Sequence, residues 1–152
     1  MKPKEFIECV LINEIKDVVD KHPYLSFLLI AVGIEFLGKC LLTEKQNWNN
    51  IKPDSAFKKG MELLSEVEPE YSKHDLKDEL RNGFAHTFLP KSKIALSEIR
   101  HGARNFQLNS SGQTVLVAEI FYRDFVIACQ IILQKNYPVE DKMNKNFLDV
   151  GK

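Results

Sequence analysis

The run from Tyr24 to Leu42 constrains this chain more than any other segment, because it is apolar at almost every position and follows Pro23, a residue suited to a first helical turn. A helix that is hydrophobic nearly all round has to be buried, in a protein core or in a bilayer. The run approaches membrane-spanning length, but Glu35 and Lys39 interrupt it and its unbroken part ends at Ile34. A charge at the bilayer centre costs about 2.5–3.5 kcal/mol on insertion scales. The expectation is therefore a mostly buried helix reaching about Glu44, and no membrane partner. Gly33 and Gly38 then read as points of close helix packing.

A core helix needs other elements around it. Ile7, Leu11, Ile15 and Val18 recur at helical spacing, predicting a first amphipathic helix from Pro3 to Lys21, ended by His22-Pro23. Asp54 is an expected N-cap for a third helix reaching Val67, with Phe57, Met61 and Leu64 on one side. Ser72 and Asp75 have the spacing of a capping box, opening a fourth helix with Leu76, Leu80, Phe84 and Phe88 at four-residue steps until Pro90. Ile94–Ile99, Arg104–Leu108 and Gln113–Val117 are β-prone runs separated by His101-Gly102 and Ser110-Ser111-Gly112, and predict a small antiparallel meander near residues 93–117. A last helix from Ala118 to Lys135 sets Phe121, Phe125, Cys129 and Ile132 toward the core. The expected architecture is mainly α: a bundle of about five helices with the β-meander inserted before the last. It forms one domain over residues 1–137, followed by a polar tail over 138–152.

Charge narrows the function classes. Among 152 residues, 21 are Lys or Arg and 21 are Asp or Glu, so net charge supplies no long-range attraction to nucleic acid. Any phosphate site must be local. Cys9, Cys40 and Cys129 stand far apart in apolar segments, without a Cys-x-x-Cys pair, and read as core residues of a reducing compartment. Met1-Lys2-Pro3-Lys4-Glu5 leads into an amphipathic stretch unlike a signal peptide, so the expected location is cytoplasmic.

The chemistry-bearing motif is Arg81-Asn82-Gly83-Phe84-Ala85-His86 on the fourth helix. Histidine titrates near neutral pH and can act as base or acid. Arginine offers a permanent charge and a planar fork that matches two phosphate oxygens. Asn82 can hydrogen-bond the phosphate or orient His86. Arg-Asn-x-x-x-His on a helix of a small bundle resembles the HEPN superfamily, whose signature is arginine, usually a polar residue, then histidine after four to six positions. That resemblance implies a metal-independent endoribonuclease with catalytic Arg81, Asn82 and His86, in which a 2′-hydroxyl attacks the adjacent phosphate and no cofactor takes part. It also implies a homodimer acting on RNA, a toxin or defence role, and a nucleotidyltransferase-type antitoxin as partner. A non-catalytic module binding a nucleotide, an RNA or a protein is the alternative, and a helical scaffold is the third.

Geometry sharpens the expectation. Residues five apart on a straight α-helix are rotated by about 140° and do not share a face. Either the helix bends at Gly83, where backbone freedom is greatest, or a two-fold dimer apposes two motifs in one cleft. Glu35 and Lys39, one turn apart, are expected to form an ion pair at the edge of the core; the other possibility is that Glu35 orients Arg81. Lys91, Lys93, Arg100, His101 and Arg104 make the most basic stretch and are candidate RNA-backbone contacts, with solvated hairpin charges as the simpler account. His74 and Asp78 have helical spacing for a shared metal, but two ligands do not make a site, and no metal is expected. Tyr122 and Arg123 are exposed polar helix residues or members of a nucleotide pocket.

Overall fold

The computed structural model describes residues 3–135, so the expected tail over 138–152 lies outside them. Pro3–Phe6, Ile7–Glu14 and Ile15–Lys21 run on as one helix, α1, whose middle part is wound as a π-helix. Its Ile7, Leu11, Ile15 and Val19 are buried. Cys9, two positions from both Ile7 and Leu11, falls on the opposite flank and is exposed, which corrects its reading as a core residue. His22 leaves helical geometry, and Pro23 opens α2, Pro23–Leu42.

The apolar run is the spine of the fold. Its Phe27, Ile30, Ile34, Leu37 and Cys40 belong to one core cluster, together with residues from every other helix. Each fully buried Phe, Leu or Ile contributes about 1.5–3 kcal/mol relative to exposure. Helix α3, Pro53–Val67, packs against α2 most closely of all. A Cβ on Gly38 would collide with the Ala56 carbonyl, and one on Gly60 with the Ile34 carbonyl. The two backbones touch where these glycines meet. Asp54 does not cap α3: Pro53 starts the helix after Lys52, and Asp54 lies in the first turn, paired with Lys77 at 2.9 Å.

Pro69–Lys73 forms a 3-10 turn. The capping box expected after it is not formed. Ser72 Oγ donates to Pro69 O at 2.8 Å, and only the Asp75 carboxylate caps, accepting from the backbone N–H of Asp78 at 3.1 Å. Helix α4 follows, with a π-helical part at Lys77–Asn82 and an α-helical part at Gly83–Thr87. Leu76, Leu80 and Phe84 are buried as the four-residue spacing requires. Phe88 breaks that pattern: the helix stops before it, its backbone is left-handed with φ 60°, and its ring is 61% exposed.

The β-region differs from the expected meander. Strand β1, Ile94–Ser97, and strand β2, Thr114–Val117, pair in parallel, with Ile94 opposite Thr114. The middle run, Arg104–Leu108, is not a regular strand. It folds back on β2 through Phe106 N to Val115 O, Val115 N to Gln107 O and an antiparallel bridge between Leu108 and Thr114. Alternation cannot tell this arrangement from a meander, because parallel pairing requires only a connection of about a dozen residues, which residues 98–113 supply. Between the strands lie a 3-10 turn at Ile99–His101 and tight turns at Gly102 and Gly112, both with positive φ. Ala118–Gln134 completes the fold as α5, with Phe121, Phe125, Cys129 and Ile132 buried as expected.

Candidate functional site

The motif sits where α4 is widened, and the widening has a local cause. The Glu79 carbonyl, which an α-helix would offer to Gly83, accepts instead from the backbone N–H of Lys91 at 2.7 Å, while Gly83 N–H bonds Leu80 O. The buried Glu79 carboxylate accepts from Lys93 N at 3.0 Å, so the chain entering β1 is stitched to the motif helix at two points. Gly83 makes this possible by leaving space, not by bending. Its backbone is right-handed helical, and a Cβ there would stand 2.5 Å from Leu89 O and 3.1 Å from Lys91 N. A π-helical turn inside an α-helix often marks a functional site.

Arg81 leaves this turn toward α2. Its Nη2 donates to Glu35 Oε2 at 3.0 Å and its Nη1 to Asn82 Oδ1 at 3.1 Å. The ion pair expected between Glu35 and Lys39 is replaced: Lys39 Nζ lies 5.2 Å from the centre of the Trp48 ring, and Glu35 turns to Arg81. A cation over an indole face is stabilised without a carboxylate, which frees Glu35 for the guanidinium. One helical turn before Asn82, the Asp78 carboxylate pairs with Lys91 Nζ at 2.6 Å. The Lys91 hydrogen bond holds Asp78 below the usual carboxylate range, and Asn82 adds to that. Glu35, Arg81 and Asn82 thus form one hydrogen-bonded group, and Asp78 with Lys91 forms an ion pair one helical turn away. Two donors of the Arg81 fork are engaged, and among the described residues its remaining N–H groups make no hydrogen bond.

His86 stands one turn on. It is exposed, and among the described residues nothing hydrogen-bonds its imidazole. The structure therefore brings together Arg81, Asn82, Glu35 and Lys91, and leaves His86 on the solvent side of the next turn. Of the other basic candidates, Arg100 pairs with Glu98 at 2.9 Å, and Lys93 and Arg104 are exposed and form no ion pair among the described residues. His101 lines a small cavity of about 110 Å³ with Pro23, Tyr24, Phe27 and Leu96. Tyr24 connects that cavity to the motif, packing its ring 5.3 Å from Phe84 and donating from Oη to the Phe88 carbonyl at 2.5 Å.

Two further candidates resolve as structural. Tyr122 Oη donates to Ile12 O at 2.6 Å, and Arg123 forks onto Asp124, whose other oxygen accepts from the buried Tyr71 hydroxyl at 3.0 Å. Burial first, then the Asp124 charge, raises the Tyr71 phenol above its ordinary range. His74 stacks parallel to Phe106 with ring centres 5.5 Å apart, and the described residues contain no group of three metal-ligating side chains. Sequence reasoning missed Glu79 and Tyr24 as members of the site's surroundings, and weighed Asp78 only as a metal partner of His74. Glu79 carries no signal beyond its charge, and Tyr24 looked like part of the apolar run.

Compared with family models, with curated proteins and with solved structures, the chain matches none.

Proposed function

We propose that the chain is a metal-independent endoribonuclease of HEPN type, working as a homodimer in the cytoplasm. The observation that carries this reading is the Arg81 guanidinium held between Glu35 and Asn82, about one turn from His86, which is exposed and has no hydrogen-bond partner among the described residues. A positioned fork and a free imidazole are what cleavage by an internal nucleophile needs. The ribose 2′-oxygen attacks phosphorus, its proton passes to a base, and the 5′-oxygen leaves with a proton from an acid. A 2′,3′-cyclic phosphate and a 5′-hydroxyl result. His86 is the proton carrier and Arg81 the anion holder. Asn82 and Glu35 keep the guanidinium in place.

Two copies complete the site in this reading. Leu25, Leu29 and Val32 are exposed on α2, Val32 at 53%, on the helix that carries Glu35. They adjoin an apolar groove of about 300 Å³ whose walls include Phe6, Val10, Val18 and Phe36. An isologous pairing over this face would bury apolar surface, and this reading expects it to bring two motifs together. A toxin or defence role, and restraint by a nucleotidyltransferase-type antitoxin, rest on the family resemblance alone.

The same ion pair favours a second reading, in which Arg81 is a strut between α2 and α4 and the protein binds RNA, a nucleotide or another protein without turnover. Mixed RNA incubated in EDTA with the wild type, Arg81→Ala and His86→Ala separates the two. General acid–base catalysis contributes about 10²–10⁴-fold, so His86→Ala is expected to cut cleavage at least about 100-fold. Equal cleavage by all three proteins refutes the catalytic reading.

A further inference from the structure

Helix α4 ends on a residue poorly suited to its backbone. Phe88 has φ 60° and ψ 16°, the left-handed position that helix ends usually give to glycine or asparagine. A bulky side chain there is an outlier that persists only when its surroundings hold it. Four bonds do so. Phe88 N donates to Phe84 O at 3.1 Å, Tyr24 Oη donates to Phe88 O at 2.5 Å, Thr87 Oγ1 donates to Gly83 O at 2.9 Å, and Lys91 N ties the returning chain to Glu79 O.

The consequence is a ring kept out of the core. One turn earlier Phe84 already fills the apolar position, with 1% exposure, and Tyr24 packs on it. Among the described residues only two aromatic side chains are exposed, Phe88 and Tyr24, and they are bonded to each other two positions beyond His86. Leu89, next in the chain, is exposed as well, so the turn presents an apolar pair to solvent.

We propose that Phe88 is a base-stacking platform: its ring receives an unpaired nucleobase of a strand whose backbone passes His86, two residues earlier in the chain, with Tyr24 as the positioning residue. This inference rests on the ribonuclease reading and names its substrate class, single-stranded RNA. Every base has a π-face, so stacking on one phenylalanine tolerates all four and rejects paired bases, which cannot leave the duplex stack without cost. With a net charge of zero, the protein lacks long-range attraction to RNA, and a local aromatic contact makes up for it.

The test uses a single-stranded 2′-O-methyl oligonucleotide carrying 2-aminopurine, which binds but has no 2′-hydroxyl to attack. The wild type and Phe88→Tyr are expected to quench its fluorescence. Phe88→Leu, which keeps an apolar side chain at an exposed site, is expected to bind about 5- to 150-fold more weakly and to lose the quenching. A duplex of the same sequence is expected to show no difference between the three. If Phe88→Leu binds and quenches as the wild type does, the platform is overturned, and the ribonuclease reading survives provided that RNA is still cleaved in an Arg81- and His86-dependent way. If Phe88→Leu instead turns a dimer into a monomer by sedimentation, with single-strand affinity unchanged, the ring is a contact between copies and the proposal fails. A wild type that neither binds nor cleaves RNA ends both.

Discussion

The Glu35–Arg81 pair is the joint between the core helix and the motif, and its strength follows from its burial. The side chains are 19% and 29% exposed, and the bond is 3.0 Å long. A fully buried pair costs about 3–5 kcal/mol when one partner is removed, and an exposed pair contributes about 0.2–1 kcal/mol. Discounting for the solvent that still reaches the guanidinium, Glu35→Ala is expected to cost about 2 kcal/mol, because Arg81 stays half-buried with one carboxylate fewer. Arg81→Ala should cost a similar amount. The double variant should cost less than the sum, with a coupling of about 1–2 kcal/mol, and each single change should lower the melting temperature by about 4–8 °C. Urea unfolding followed by fluorescence is the assay, since Trp48 is the only tryptophan and packs 5.5 Å from Phe36. A coupling within about 0.5 kcal/mol of zero would show that Glu35 does not hold Arg81, and the positioning argument would fall with it.

Gly60→Ala would usually stabilise a helix by about 1 kcal/mol, but here the added Cβ meets the Ile34 carbonyl, so a loss of about 3 kcal/mol or more is expected; a raised melting temperature refutes the close contact. Thiol labelling at pH 8 should modify Cys9 alone in the native protein. Burial pushes the Cys40 thiol up to about 12 and raises Cys129 as well, so neither forms the reactive thiolate until the pH is far higher or urea unfolds the chain, when all three react; fast native labelling of Cys40 would contradict the core described above.

Much of the helical architecture was legible because its cause is local. Helical spacing marked most of the buried faces of α1, α4 and α5, with Val19 buried in place of Val18, and Pro23 stands at the first turn of α2 as expected. The failures have specific physical reasons. Phe88 kept the apolar spacing, but Phe84 already fills the core position and the loop at 88–91 is pulled back over Gly83. Two of the three β-prone runs became strands, yet they pair in parallel, because strand direction depends on the path of the connection at 98–113 and not on alternation. Glu35 and Lys39 had the spacing of an ion pair, and a tryptophan from the following loop took the lysine instead.

The sequence by itself determined a mainly helical fold around one apolar helix, and it located the Arg-Asn-Gly-Phe-Ala-His segment on that fold, since periodicity and chemical type belong to neighbouring residues. Tertiary structure decided what the segment is joined to, and chose between the two partners the sequence left open to Glu35. Arg81 meets Glu35 from a position 46 residues away, the Glu79 carbonyl leaves its own helix for Lys91, and Tyr24 reaches the Phe88 carbonyl across 64 residues. Such contacts depend on how helices pack, and packing is settled by shape complementarity over the whole core and by close approaches such as Gly38 on Ala56, which leave no periodic trace in the chain.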